Sequence, residues 1–415
     1  MLVKVVEGVA VTADGEGGLR AWDLKSRSLI GQVGTGGEGG EAAPSCIAVD
    51  ETEFERGVLD VALGFDDGSF GVWRLFTGEK RLELRYRHEK SSNGGLRAMA
   101  FSYPYLLTAT QSVLVSLYTF VVPRPRGRFA HDASGAAPST SAVTGKPPPP
   151  YLLTSLDSHT SRPPLALSLR RAGRATVASV AYTFSTRRGW SIGVQDLHIH
   201  PPAGPNSVPE ITTTRIAYTN PVETGGSPPL SPPATPHHGH RRSGTTTTAP
   251  QPSASTPPLE PGPTTLCYTH PYLLATLPDN TLILHTCTST ASSLSISDGV
   301  RLWGHTSGIS DAEITARGKA VSVSSRGEEM RVWELEGRSA ASRSVEIRPW
   351  QQQTGQSLAG EQEEEGEGMG GGRREPAASG EWDERRNWVG FDDEMVIVLK
   401  ERGGARQSLM VYDFT

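Results

Sequence analysis

The feature that most constrains this chain is a hairpin that keeps returning. Gly8–Leu24, "GVAVTADGEGGLRAWDL", is an alternating apolar run, a Gly-rich turn and a second alternating run ending on an aromatic and a polar residue. Asp60–Leu75 ("DVALGFDDGSFGVWRL"), Pro104–Phe120 ("PYLLTATQSVLVSLYTF") and Pro271–Cys287 ("PYLLATLPDNTLILHTC") repeat the design, as do Lys319–Leu335 and Glu394–Phe414. Period-two alternation joined by "DG", "DDGS", "DN" or "GG" predicts antiparallel hairpins. A hairpin with two faces to cover cannot bury both alone, so it must stack on copies of itself.

Units of about 40–45 residues with four strands stack radially as the blades of a β-propeller. The predicted class is therefore all-β, with residues 1–415 forming a single propeller. Strand positions divide it into seven blades, near Leu2–Val33, Ser45–Arg87, Leu96–Leu156, Pro163–Tyr218, Thr264–Trp303, Ile309–Arg348 and Asn387–Thr415. Six or eight are the other counts that such degenerate repeats allow. The last unit offers three strands, "NWVGF", "MVIVLK" and "SLMVYDF", and no fourth, while "LVKVVEG" reads as the inner strand of the first blade. This predicts an incomplete last blade in the C-terminal part of a longer protein. The other reading is that "MLVKVV" closes the ring itself.

Three spacers break the pattern, at about 123–150, 201–263 and 349–384, where Pro, Ser, Thr, Gly or Glu replace the apolar residues. They bury too little apolar surface to offset chain ordering and are expected to be disordered inter-strand loops. Loop closure costs rise only logarithmically with length, so one fold tolerates them. Ser227, Ser231, Thr235 and Thr256 each precede a proline in the second spacer. They are candidate sites for proline-directed phosphorylation, which adds roughly −1.5 to −2 charge per site.

Composition excludes several classes. A formal net charge of −5 gives no global drive toward nucleic acid or an anionic membrane. No apolar run approaches the ~20 residues that span a bilayer, and the start lacks a signal-peptide pattern, so cytosol or nucleus is the expected setting. Cys46, Cys267 and Cys287 each sit in an apolar stretch and read as reduced core thiols. His198 and His200 end a strand beside prolines, and His237, His238 and His240 lie in a spacer; neither group has the spacing of a metal site. "GTGGEGGE" lacks the Lys and following helix of a phosphate loop and reads as an inter-blade linker. No catalytic, metal or cofactor residues are predicted, and the chain is expected not to be an enzyme.

The strand ends carry a resemblance. "RAWDL" (Trp22, Asp23), "GVWRL" (Trp73), "RVWEL" (Trp333) and "VYDF" (Tyr412, Asp413), with Gly304-His305 before one inner strand, resemble the signature of WD-repeat proteins. The resemblance implies a hydrogen-bonded chain through His305, Ser322 or Ser324, and Trp333. Its turn acid is missing, since "SRGEE" offers Arg326 and Glu328. Arg20, Arg74 and Arg331 are expected to be solvated rim charges. The layout as a whole resembles fungal F-box/WD-repeat proteins. That implies the substrate receptor of an SCF-type ubiquitin ligase, binding protein substrates on the propeller face. A Skp-type adaptor and cullin would bind through an F-box that is not in these residues. A non-ligase WD-repeat scaffold is the alternative.

Overall fold

The computed structural model describes residues 2–35, 42–121, 149–157, 161–202, 204, 207–223, 262–290, 292–315, 317–325, 329–335, 343–347, 388–391, 395–402 and 406–413. These residues form seven antiparallel sheets and, besides them, a single short 3-10 turn at Phe54–Arg56. The first sheet runs β1 (Leu2–Val6), β2 (Val9–Asp14), β3 (Gly18–Asp23) and β4 (Ser28–Val33). The second holds β5 (Pro44–Asp50), β6 (Val58–Phe65), β7 (Phe70–Phe76) and β8 (Arg81–His88). The third holds β9 (Leu96–Ser102), β10 (Tyr105–Thr110), β11 (Val115–Thr119) and β12 (Tyr151–Leu156).

The fourth contains β13 (Ser161–Ala172), β14 (Ala175–Thr186), β15 (Gly189–His200), β16 (Glu210–Tyr218) and the short β17 (Val222–Glu223). In the fifth, β18 (Thr265–Thr269), β19 (Tyr272–Thr276) and β20 (Leu282–Ser289) are followed by an outer strand broken into β21 (Leu294–Ile296) and β22 (Val300–Leu302). The sixth is β23 (Ile309–Ile314), β24 (Lys319–Ser324), β25 (Met330–Glu334) and β26 (Arg343–Ile347). The seventh is β27 (Trp388–Phe391), β28 (Met395–Arg402) and β29 (Arg406–Asp413).

The first strands of the sheets neighbour one another in the order β1, β5, β9, β13, β18, β23, β27, and β27 returns to β1. The molecule is therefore a closed all-β propeller whose inner strands surround a channel. Six sheets have the four or more strands of a complete blade, and the seventh has three among the described residues. β1 is an inner strand and pairs with β2; it does not act as the outer strand of the seventh sheet.

The core sits between sheets. Leu2, Val11 and Leu19 of the first meet Ile47, Leu59, Leu63 and Trp73 of the second. The same arrangement recurs between the second and third, third and fourth, fourth and fifth, fifth and sixth, and sixth and seventh sheets, where Val321 and Met330 pack on Phe391 and Val396. Each fully buried Leu or Val in these layers contributes about 1.5–3 kcal/mol. Alternation thus serves two neighbours at once, which is why the repeats are stable only as a ring. Turn chemistry follows the strands: in "DDGS", Gly68 has φ +80°, and a Cβ there would stand 2.7 Å from the Gly94 carbonyl oxygen.

The second expected spacer, 201–263, overlaps the expected fourth blade, which runs to Tyr218, and the overlap holds a strand of that blade. Glu210–Tyr218, "EITTTRIAY", pairs with β15 from Gly193 to His200, because its β-branched residues favour a strand despite the prolines around it. The remainder of that spacer from 224 to 261, residues 122–148 of the first and all of 349–384 lie outside the described residues, as does the Gly-rich 36–41.

Candidate functional site

In the sixth sheet, the register sets Ser322 of β24 opposite Arg331 of β25, two residues before Trp333. The buried Trp333 indole donates to Ser322 Oγ at 2.8 Å, and His305 Nε2 lies 2.6 Å from the same oxygen. With Trp333 donating, Ser322 donates onward to His305 Nε2, which leaves the imidazole proton on Nδ1. That nitrogen faces Glu329 Oε2 at 3.5 Å. Burial pushes the His305 pKa below its usual value, with Glu329 opposing, so the ring is neutral near pH 7.

Glu329 is held in turn. Burial alone would raise its pKa, but the Thr306 N–H at 2.9 Å, Arg331 Nε at 2.8 Å and the Thr306 hydroxyl at 3.0 Å outweigh that and hold it below the usual carboxylate range. The acid beside His305 is thus present, and it is Glu329, the last residue of "SRGEE". Sequence reading weighed Arg326 and Glu328 at this turn and passed over Glu329, the residue after them. Arg326 and Glu328 lie outside the described residues. Ser324, the other hydroxyl considered, accepts the Glu329 N–H at 3.1 Å.

The first sheet repeats this register. Thr12 lies opposite Arg20, and Trp22 Nε1 donates to Thr12 Oγ1 at 3.1 Å. Asp23 does not join Trp22; it closes the next turn, accepting the Lys25 and Ser26 N–H groups and the Ser26 hydroxyl. In the second sheet the equivalent of the hydroxyl is Leu63, opposite Gly71. Trp73 there is fully buried in the core, and its ring lies where a Gly71 Cβ would be, at 2.4 Å. Tyr412 and Asp413 are placed on β29, but their side chains, like Ser227, Ser231, Thr235 and Thr256, lie outside the described residues.

The three arginines are not free rim charges. Arg74 holds both oxygens of the buried Asp60 at 2.7 and 2.6 Å. Arg20 pairs with Asp14, and Arg331 pairs with Glu329 and, at 3.4 Å, with Glu346. Position on the third strand sets each guanidinium opposite or near an acid, and pairing lowers the cost of partial burial.

His198 Nε2 accepts from Arg215 Nη1 at 2.7 Å, while His200 is exposed at the end of β15. Among the described residues no three His, Cys, Asp or Glu side chains are placed to hold a metal ion. Cys46, Cys267 and Cys287 carry free thiols on three different strands, and burial pushes each up to about 12. Two openings stand out among the described residues. One is the central channel, about 430 Å³, lined by residues of all seven inner strands, including Lys4, Met99, Leu169, Tyr268, Glu313 and Phe391. The other, about 570 Å³, lies between the second and third sheets.

Comparison with solved structures finds similar chains at low identity. The Raptor structure from Chaetomium thermophilum has a TM-score of 0.48 and 11% identity, covering 99% of this chain and 27% of that one. The "Complex of KlAtg21 with coiled-coil of AgAtg16" has a TM-score of 0.46 and 7% identity, covering 100% of this chain and 99% of that one. The computationally designed Ika8 protein gives 0.44 and 13%, covering 99% and 82%. No curated protein matches the chain. A family model does match, described as "F-box protein pof12 beta-propeller", and it spans residues 1–415. This chain, whose inner strands close into a ring and whose core lies between neighbouring sheets, belongs to the F-box protein pof12 β-propeller family.

Proposed function

We propose that this chain is the substrate-recognition propeller of an F-box protein, presenting protein substrates to an SCF-type ubiquitin ligase in the cytosol or nucleus. The observation that supports it is the family match over the whole chain. A propeller of that family binds protein partners, and its loops and channel mouth supply the surface. In this reading the protein is no enzyme itself, and ubiquitin transfer belongs to the ligase it joins. The tryptophan chains of the first and sixth blades are those of a degenerate WD-repeat ring, and they stiffen the platform without touching the substrate. Contact with a Skp-type adaptor and cullin requires an F-box, which is not among these residues.

The experiment is affinity purification of the endogenous protein carrying a C-terminal tag, with blotting for the adaptor and cullin. Co-purification of both, together with longer half-lives of bound proteins when the gene is deleted, is the expected result. Recovery of a stable complex lacking adaptor and cullin would replace this reading with that of a non-ligase scaffold.

A further inference from the structure

The opening between the second and third sheets has the construction of a binding site. Its volume, about 570 Å³, falls within the range of about 300–1,000 Å³ usual for ligand sites. Its floor is aromatic: Phe120 stacks on Tyr103 with centroids 6.2 Å apart and meets Phe101 and Tyr86 edge-on. Tyr103 nevertheless keeps 48% of its surface exposed, so an aromatic face is available to an incoming group.

Two cations reach this floor by departures from the regular blade. β7 and β8 are in register from Phe70 to Val72 and from Trp73 to Phe76, but Val72 faces Tyr86 and Trp73 faces Leu84. Arg85 is therefore the extra residue of a β-bulge, a device that redirects a side chain. Both Arg85 and its neighbour Tyr86 line the opening as a result. The second cation is Arg171, near the turn between β13 and β14, each twelve residues long. That long hairpin belongs to the fourth sheet yet places Arg171 in the wall of an opening otherwise made by the second and third. Among the described residues neither guanidinium has a hydrogen-bond or ion-pair partner, and both are exposed.

The other charges here are largely occupied. Asp60 is gripped by Arg74. Asp50 accepts the Tyr103 N–H and the Thr52 hydroxyl, both at 2.8 Å, and Glu53 pairs with Arg56 at 3.4 Å. That leaves Arg85 and Arg171 against Glu55, while Glu53, also exposed, is matched by its pair Arg56.

We infer that this opening binds an acidic peptide of a protein partner, its anionic side chain between Arg85 and Arg171 and an adjacent apolar side chain on Tyr103 and Phe120. Guanidinium groups suit planar carboxylates and phosphate esters, and a large ring covered by a partner is a frequent anchor of binding energy. Glu55 argues against a nucleic acid, whose backbone it would repel, and suits a peptide, whose backbone N–H it can accept. The inference rests on the reading of the propeller as a protein-binding platform, and it is independent of any ligase.

The test is a positional-scanning peptide array, with aspartate, glutamate and phosphoserine among the residues varied, probed with the purified full chain. Selected peptides are expected to carry an acidic residue within two positions of an aromatic or aliphatic one. Their binding, read by fluorescence polarisation, should weaken about tenfold or more in Arg85→Glu and in Arg171→Glu, and also in Tyr103→Ala. All three side chains are exposed, so melting temperatures should hold. Selection without acidic bias, or binding unchanged in both arginine variants, overturns the site; so does a U-rich RNA that binds as well as the peptides and loses affinity in the same variants. None of these results bears on whether the adaptor and cullin co-purify, so the two readings fail separately.

Discussion

The ammonium group of Lys4 on β1 and the carboxylate of Glu313 on β23 form an ion pair that reaches past β27, the inner strand standing between them in the ring. Burial alone would lower the Lys4 pKa, and Glu313 outweighs it and raises it. The pair ties the first blade to the sixth across the seventh, which has three strands among the described residues. Glu313→Ala should cost about 1–2 kcal/mol, less than a fully buried pair because Lys4 keeps 35% of its side chain exposed. Lys4→Met in the same chain should recover much of it. Urea midpoints of the two singles and the double decide, and additive losses would mean the pair contributes nothing.

Ser322 serves two buried partners, so its hydroxyl has a larger effect than its size suggests. Ser322→Ala leaves the Trp333 N–H and His305 Nε2 without a partner and should destabilise by about 2–3 kcal/mol. Thr12→Val strands only the Trp22 indole, which is partly exposed, and should cost about 1 kcal/mol. Denaturant titration of both should preserve that order; equal losses would show that the sixth blade has no special anchor.

How far these features could be read from sequence divides along physical lines. Blade limits such as Leu2–Val33 and Leu96–Leu156 coincide with strand ends, because alternation and "DG"-type turns are local and each is visible in a few residues. The pairing of His305 and Trp333 through Ser322 or Ser324, of which the structure selects Ser322, was legible through the WD-repeat resemblance. Glu329 was not, since which of two adjacent acids faces a histidine depends on the turn's backbone path. Asp60 beneath Arg74 was likewise hidden, being a cross-strand neighbour fourteen positions away. β16 was legible as the last strand of the fourth blade, which was expected to end at Tyr218, whereas Arg85 was hidden by a one-residue bulge that alternation alone cannot locate.

Acid should loosen the ring before carboxylates titrate. Burial pushes His285 and His305 below the ordinary histidine value of 6.5, and His88, His198 and His270 move the same way. The unfolded chain therefore takes up protons first as pH falls, so this stability is complete above about pH 6.5 and drains away below it. Each proton wholly excluded from the fold contributes a slope of about 1.4 kcal/mol per pH unit. His285 Nδ1 is 2.9 Å from the Ser297 carbonyl oxygen, and Asn can keep that donor without titrating. His285→Asn should flatten the dependence of the urea midpoint between pH 6.5 and 5.5, and a slope equal to that of the parent would remove His285 from the account.

The cysteines should be silent toward thiol reagents. With the thiols of Cys46, Cys267 and Cys287 pushed up to about 12 by burial, thiolate is scarce at pH 8, and thiolate is the reactive form. Mass spectrometry after iodoacetamide should find the native chain unmodified at all three and the urea-unfolded chain fully alkylated. Fast alkylation of any one under native conditions would reveal an opening at that blade.

The seam where the seventh blade meets the first depends on the absence of one side chain. A Cβ on Gly390 of β27 would lie 3.1 Å from Val5 Cγ2 and 3.5 Å from Val3 Cγ1, and both valines are buried. Gly390→Ala should therefore push the two inner strands apart and cost about 1–3 kcal/mol through overpacking. Val5→Ala alone should cost a similar amount by leaving a cavity. Together they should cost less than the sum of the two, because the new methyl occupies space that the shortened Val5 vacates, a coupling expected only for residues in contact. The measurement is a double-mutant cycle in urea, with limited proteolysis within 392–405 as a local readout. Strict additivity would mean that β27 does not seat against β1 as described, and the ring would then have to close by other contacts.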